Sequence, residues 1–181
     1  MRIFSWHLLL MVCVLLTGCG YHLSATSGLP PAVVGKNIAI PVFINKSYRA
    51  DVGAALTESL IDEFARRSGG KVTSEESADL VLTGTVLTYA TSAVSYTAAD
   101  TVKEYRAVMT VESTLTEKNT RKVIWKGTLS WSQDYPANTT FTLQQGSVDT
   151  IALQQNSEEA AIRELCKKIA LQLYQNVSAG F

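Results

Sequence analysis

The chain has two histidines, three cysteines and four prolines in 181 residues, and its 16 basic side chains balance 16 acidic ones. Each scarcity removes a class of function. His7 falls in an apolar leader and His22 lies three residues past Cys19, so neither a Ser-His-Asp nor a Cys-His set can be assembled in the body of the chain. No cysteines and histidines recur at metal-ligand spacing. No glycine-rich loop precedes a helix as a phosphate cradle does; Gly69-Gly70 ends one instead. Paired carboxylates occur as Glu75-Glu76 and Glu158-Glu159, positions that suit solvated loops and helix starts. No catalytic residue, metal or cofactor is therefore expected. The charge balance leaves no footprint for nucleic acid. No apolar run approaches the roughly 20 residues of a transmembrane helix.

What is present starts at the N-terminus. Arg2 precedes an uncharged run, Leu8 to Leu16, and Leu16-Thr17-Gly18-Cys19 closes it. Small residues at Thr17 and Gly18 suit a signal-peptidase cleft, and Cys19 supplies a thiol for a thioether-linked lipid. The stretch reads as a lipobox. An ordinary secretory signal with a chance cysteine is the competing reading, since Cys13 also sits in the leader. The expectation is a signal peptide over 1–18, a lipidated N-terminus and tether over 19–36, and one domain over 37–181. Two or more acyl chains on Cys19 would hold the protein firmly to a membrane that it does not span. Gly28, Pro30, Pro31 and Gly35 mark the tether. With Cys19 lipidated, no disulfide is expected, and Cys166 reads as a small buried hydrophobe.

Within the domain, Asn37 to Ile44 is the first strand, with Pro41 arguing for an edge or bulge. Val52, Leu56, Leu60 and Phe64 recur at helical spacing, so a helix runs from Ser47 or Asp51 to Ser68. Ala78 to Thr97 is a long strand with a possible bulge at Gly84. Lys103 to Thr116 alternates, with Tyr105, Ala107, Met109, Val111 and Leu115 on one face and mostly polar residues on the other. Lys122 to Trp131 returns as its hairpin partner, with Val123, Trp125, Leu129 and Trp131 on the apolar face. Ser132 to Asn156 shows no strong period. It reads either as a functional, partner-ordered loop or as a mobile surface insertion. Ser157 caps a closing helix to Val177, whose stripe is Ile162, Leu165, Cys166, Ile169, Ala170, Leu173 and Val177. The order β-α-β-β-β-α predicts an α+β two-layer sandwich: a four-stranded mixed sheet with both helices packed on one face.

Lys103, Arg106, Arg121, Lys122 and Lys126 gather along the third and fourth strands. Together they would suit the phosphates of an anionic glycolipid. Taken singly, each is accounted for by a solvated face with Glu104, Glu112 and Glu117 interspersed.

Three stretches resemble the lipopolysaccharide-assembly lipoprotein family (LptE): Gly18-Cys19-Gly20-Tyr21-His22-Leu23, Glu104-Tyr105-Arg106-Ala107-Val108-Met109-Thr110-Val111, and Asn156-Ser157-Glu158-Glu159-Ala160-Ala161. The resemblance implies a non-enzymatic lipoprotein seated in the lumen of a large outer-membrane β-barrel (LptD). There it would plug the barrel, assist its assembly and contact lipopolysaccharide. It also implies the outer membrane as location, since Gly20 rather than aspartate follows Cys19. The segment Tyr135 to Gln155 looks longer than the family pattern. Only Cys19 carries over as a functional residue; the five basic residues are candidate lipopolysaccharide contacts on chemistry alone. The competing reading is a free periplasm-facing lipoprotein that binds a small ligand or another envelope protein.

Overall fold

The computed structural model describes residues 35–67, 71–138 and 148–179. The leader, Cys19 and most of the tether lie outside them. The described chain runs β1 (Ile38–Ala39), β2 (Ile44–Asn45), α1 (Val52–Arg67), a 3-10 turn at Glu75–Ser77, β3 (Leu80–Tyr96), β4 (Val102–Glu117), β5 (Val123–Pro136) and α2 (Val148–Ala179). β1 and β2 both lie parallel to β3, β3 and β4 are antiparallel, and β4 and β5 are antiparallel. The result is the expected mixed sheet under two helices.

The first predicted strand is broken in two. Pro41 has no N–H for the ladder, and Ile38 pairs with Leu80 while Ile44 pairs with Thr85. Between the two pieces Ile40 and Phe43 turn into the core and Val42 turns out. The Phe43 N–H, lost to the ladder, donates to Thr57 Oγ1 at 2.9 Å. That buried hydroxyl donates in turn to the Gly53 carbonyl at 2.8 Å, so α1 is fastened to the gap in the strand.

α1 starts directly after Asp51, and Val52, Leu56, Leu60 and Phe64 are each at most 1% exposed. The two helices run side by side in the same direction. Val52 and Ala55 share a cleft with Glu159 and Ile162, and further along Phe64 packs edge-on against Tyr174 at 5.1 Å. Arg67 lies over the Tyr174 ring at 5.6 Å, and with Arg66 it pairs with the buried Glu63 carboxylate.

Two local expectations about the strands are corrected. β3 shifts register between Val86 and Thr88 and again between Ala93 and Tyr96, not at Gly84. Gly84 instead clears space for a ring: a Cβ there would fall 2.1 Å from Phe43 Cε1. Gly84, Ser113 and Gly127 pair across β3, β4 and β5 as one row of small residues. Phe43 lies over one end of the row and Trp125 over the other, where a Cβ on Gly127 would meet Trp125 Cζ2 at 2.6 Å. In β5 the register shifts between Leu115 and Thr116, which pair with Trp125 and Val123. The extra residue, Ile124, packs against the core. Val123 is thereby carried to the opposite face and is 54% exposed, because one inserted residue reverses side-chain alternation.

The closing helix is longer than the periodicity of its core stripe. It begins at Val148, so Ser157 lies inside it rather than at its cap. Asn138 holds this extension from outside: its N–H donates to Gln154 Oε1 (2.8 Å), and its side-chain amide donates to the Leu153 carbonyl (2.9 Å) and to Ser157 Oγ (2.7 Å). β5 in turn runs to Pro136. Strand and helix thus take both ends of the expected 132–156 loop, and 139–147 lie outside the described residues.

Candidate functional site

Both helices lie on one face of the sheet, and among the described residues no element covers the other face. Cross-strand pairing defines it. Thr83, Thr85, Thr88 and Ser92 on β3 stand opposite Thr114, Glu112, Thr110 and Arg106 on β4. These in turn stand opposite Lys126, Thr128, Ser130 and Asp134 on β5. The surface is mainly short hydroxyls and paired charges, with Ala90, Val108 and Val123 among them. Arg106 grips Asp134 with two hydrogen bonds, Nε to Oδ1 at 2.6 Å and Nη2 to Oδ2 at 2.8 Å. Lys126 pairs with Glu112 at 2.5 Å, and the Thr110 and Ser130 hydroxyls meet at 3.2 Å. The hydrogen bond from Lys126 holds the Glu112 carboxyl below its ordinary range, and that from Arg106 does the same for Asp134. These groups stay charged through neutral pH, on a surface where exposed pairs fix geometry more than they stabilise.

The structure divides the five basic candidates. Arg106 and Lys126 lie on the uncovered face, each committed to a carboxylate. Lys103 sits near the start of β4, while Arg121 and Lys122 occupy the turn into β5, with Arg121 at φ 57°. At about 3.4 Å per residue, the two ends of β4 are roughly 50 Å apart. The five therefore form no single anion-binding cluster.

Sequence reasoning did not find two other features. One is a cleft of about 270 Å³ between the start of α1 and the middle of α2, lined by Arg49, Asp51, Val52, Ala55, Glu159, Ile162 and Arg163. Arg49 and Arg163 each stand 3.9 Å from Glu159. The residues come from a loop and two helices, so only tertiary packing assembles them. The other is a run of tyrosines. The Tyr48 and Tyr89 rings lie 5.7 Å apart, Tyr105 stacks on Tyr135 at 5.6 Å, and Tyr89 OH donates to Glu158 Oε1 at 3.0 Å. Burial, then the Glu158 charge, raises both the Tyr89 and Tyr135 hydroxyls, Tyr135 to about 12. Burial alone raises the Cys166 thiol to about 12.

Folding raises these acids above their unfolded values of 10.0 for tyrosine and 9.0 for cysteine. Their stabilising contribution is complete below those values and is lost as pH rises toward 12. The melting temperature should therefore fall between about pH 9 and 12, and Tyr135→Phe should flatten that decline; an unchanged profile would refute the assignment. Cys166, 0% exposed, should resist alkylation at pH 8 in the native protein and react promptly in denaturant.

Among the described residues, no group of three or more His, Cys, Asp or Glu could hold a metal ion, and no helix is long and apolar enough to cross a membrane.

A family model described as LptE, lipopolysaccharide-assembly, matches residues 35–177. No curated protein matches the chain. Among solved structures, the chain is similar to the rare lipoprotein B of Shewanella oneidensis, at 19% identity over 76% of this chain and 93% of that one, with a TM-score of 0.50. It is also similar to an uncharacterized lipoprotein B of Nitrosomonas europaea, at 15% identity over 89% and 92%, with a TM-score of 0.52. At these identities the likeness speaks for the fold alone.

Proposed function

Because the chain belongs to the LptE lipopolysaccharide-assembly family, we propose that it is an outer-membrane lipoprotein, anchored through Cys19, that plugs a large LptD-like β-barrel, assists its assembly and serves lipopolysaccharide transport to the outer leaflet. The role is structural and binding, with no catalytic residue. The observation that carries it is the uncovered sheet face. A barrel lumen is polar and offers hydrogen-bonding groups. A face of threonine and serine hydroxyls with its charges paired can meet such a wall without burying an unpaired ion. Cys19 lies close enough in sequence to the domain to tether it there: 17 residues, 20–36, span at most roughly 60 Å. Lys103, Arg121 and Lys122, at the sheet's ends and free of the ion pairs that hold Arg106 and Lys126, are the better placed of the five for lipopolysaccharide phosphates.

Site-specific photocrosslinking in cells tests this reading. A photoreactive residue at Thr110, in the middle of the uncovered face, should give an adduct with a large outer-membrane β-barrel. Adducts only with small periplasmic proteins would count against it.

The cleft between Arg49 and Arg163 supports a second reading, a free envelope lipoprotein that takes a small ligand there. It predicts a monomer on extraction whose melting temperature rises with that ligand and not in the Arg163→Ala variant.

A further inference from the structure

β5 is the outer strand of the sheet, and among the described residues only β4 pairs with it. Its pairing with β4 runs unbroken from Trp125 to Pro136. A long regular edge of this kind is a template for another strand.

The parity of the edge can be read from the ladder. The Ala137 N–H donates to the Lys103 carbonyl at 2.9 Å, and 103 and 137 continue the register that pairs Glu104 with Pro136. Odd-numbered residues of β5 therefore direct their N–H and C=O groups toward β4, and even-numbered ones direct theirs outward. The Asp134 carbonyl fits this parity, since it accepts from the Gln133 side chain at 2.8 Å rather than from the ladder.

We propose that β5 pairs antiparallel with β5 of a second copy about a two-fold axis at Ser130, joining two sheets into one. The self-complementarity of the strand selects this occupant and this register. Centring on Ser130 sets Lys126 against Asp134 of the second copy, Thr128 against Ser132, and Ser130 against Ser130. All are even-numbered, so all fall at positions whose backbone groups point outward. On the uncovered face the charges then alternate across the joint: Arg106, Asp134, then Lys126 and Glu112 of the second copy. On the helix-side face the half-exposed Trp131, at 38%, comes beside Leu129 of the second copy. Opposite charges and an aromatic–aliphatic contact are the cross-strand pairs that stabilise antiparallel sheets. The pairing replaces the Gln133 contact with the Asp134 carbonyl. It concerns the chain outside a barrel, and its failure would leave the barrel reading untouched.

The test uses the full-length lipidated protein in detergent. Sedimentation should show a concentration-dependent dimer. Ser130→Pro removes an outward N–H and leaves the β4–β5 ladder intact, and it should weaken dimerisation on the order of tenfold or more. Ser130→Cys should form an intermolecular disulfide on mild oxidation. Paired Cα atoms across such a joint lie about 5.5 Å apart, within the roughly 4.4–6.8 Å that a disulfide spans. Thr110→Cys, one strand further in, would face its counterpart across about 14 Å and should not crosslink. If Ser130→Pro fails to fold, the cysteine pair decides. A protein that stays monomeric, equal crosslinking at 110 and 130, or a dimer that a folded Ser130→Pro leaves intact would overturn the proposal.

Discussion

Gly84→Ala should destabilise the domain by about 3 kcal/mol, at the upper end of what overpacking a core costs. The reason is local and rigid. The new methyl would coincide with the Phe43 ring, with Cε1, Cδ1 and Cζ all within 2.6 Å. Phe43 cannot retreat easily, because it is 2% exposed and its N–H is tied to Thr57 on α1. Relief requires the β1–β2 segment to lift from β3 or α1 to shift. Thermal unfolding should show a fall of roughly 10 °C for a domain of this size. The double variant Gly84→Ala with Phe43→Leu should recover part of it. A Gly84→Ala protein that melts with the parent would mean that Phe43 does not lie on Gly84.

The second large effect is at the helix interface. Phe64→Ala should cost about 3–5 kcal/mol, the range for emptying a core aromatic site. Phe64 is 1% exposed and meets Tyr174 edge-on. Removing it leaves a void between α1 and α2 and withdraws support from the ring that Arg67 covers. Ile61→Ala, on the same helix at 38% exposure, should cost under about 1 kcal/mol. Denaturant unfolding of the two variants beside the parent separates these cases. Equal losses would contradict the packing described.

The elements that repeat were the ones legible from sequence. All seven residues of the closing stripe, from Ile162 to Val177, are at most 6% exposed, because a helix buried along one side leaves a period in its sequence. The alternation of β4 from Tyr105 to Leu115 likewise matches its buried face. What escaped was held by single contacts. The first turns of α2 present Ile151 and Leu153 to solvent at 61% and 54%, so no buried stripe announces them. They are held from outside by Asn138, and no periodicity reports a side chain reaching across 15 or more residues. The bulges at Leu87 and Ile124 escaped because a one-residue slip depends on both strands at once. The same holds for the site. The threonines and serines of the uncovered face were visible in the alternation. The commitment of Arg106 to Asp134 and of Lys126 to Glu112 was not, since it follows from the β4–β5 register. The cleft at Arg49 and Arg163 required the parallel packing of two helices distant in the chain.

We propose that this domain works inside a β-barrel. The most direct test is isolation of the C-terminally tagged full-length chain from outer membranes in mild detergent, with the partners identified by mass spectrometry. The plug reading predicts one large β-barrel protein in roughly stoichiometric amount, retained through the extraction. Recovery of the chain without a barrel, from membranes that contain one, would contradict it.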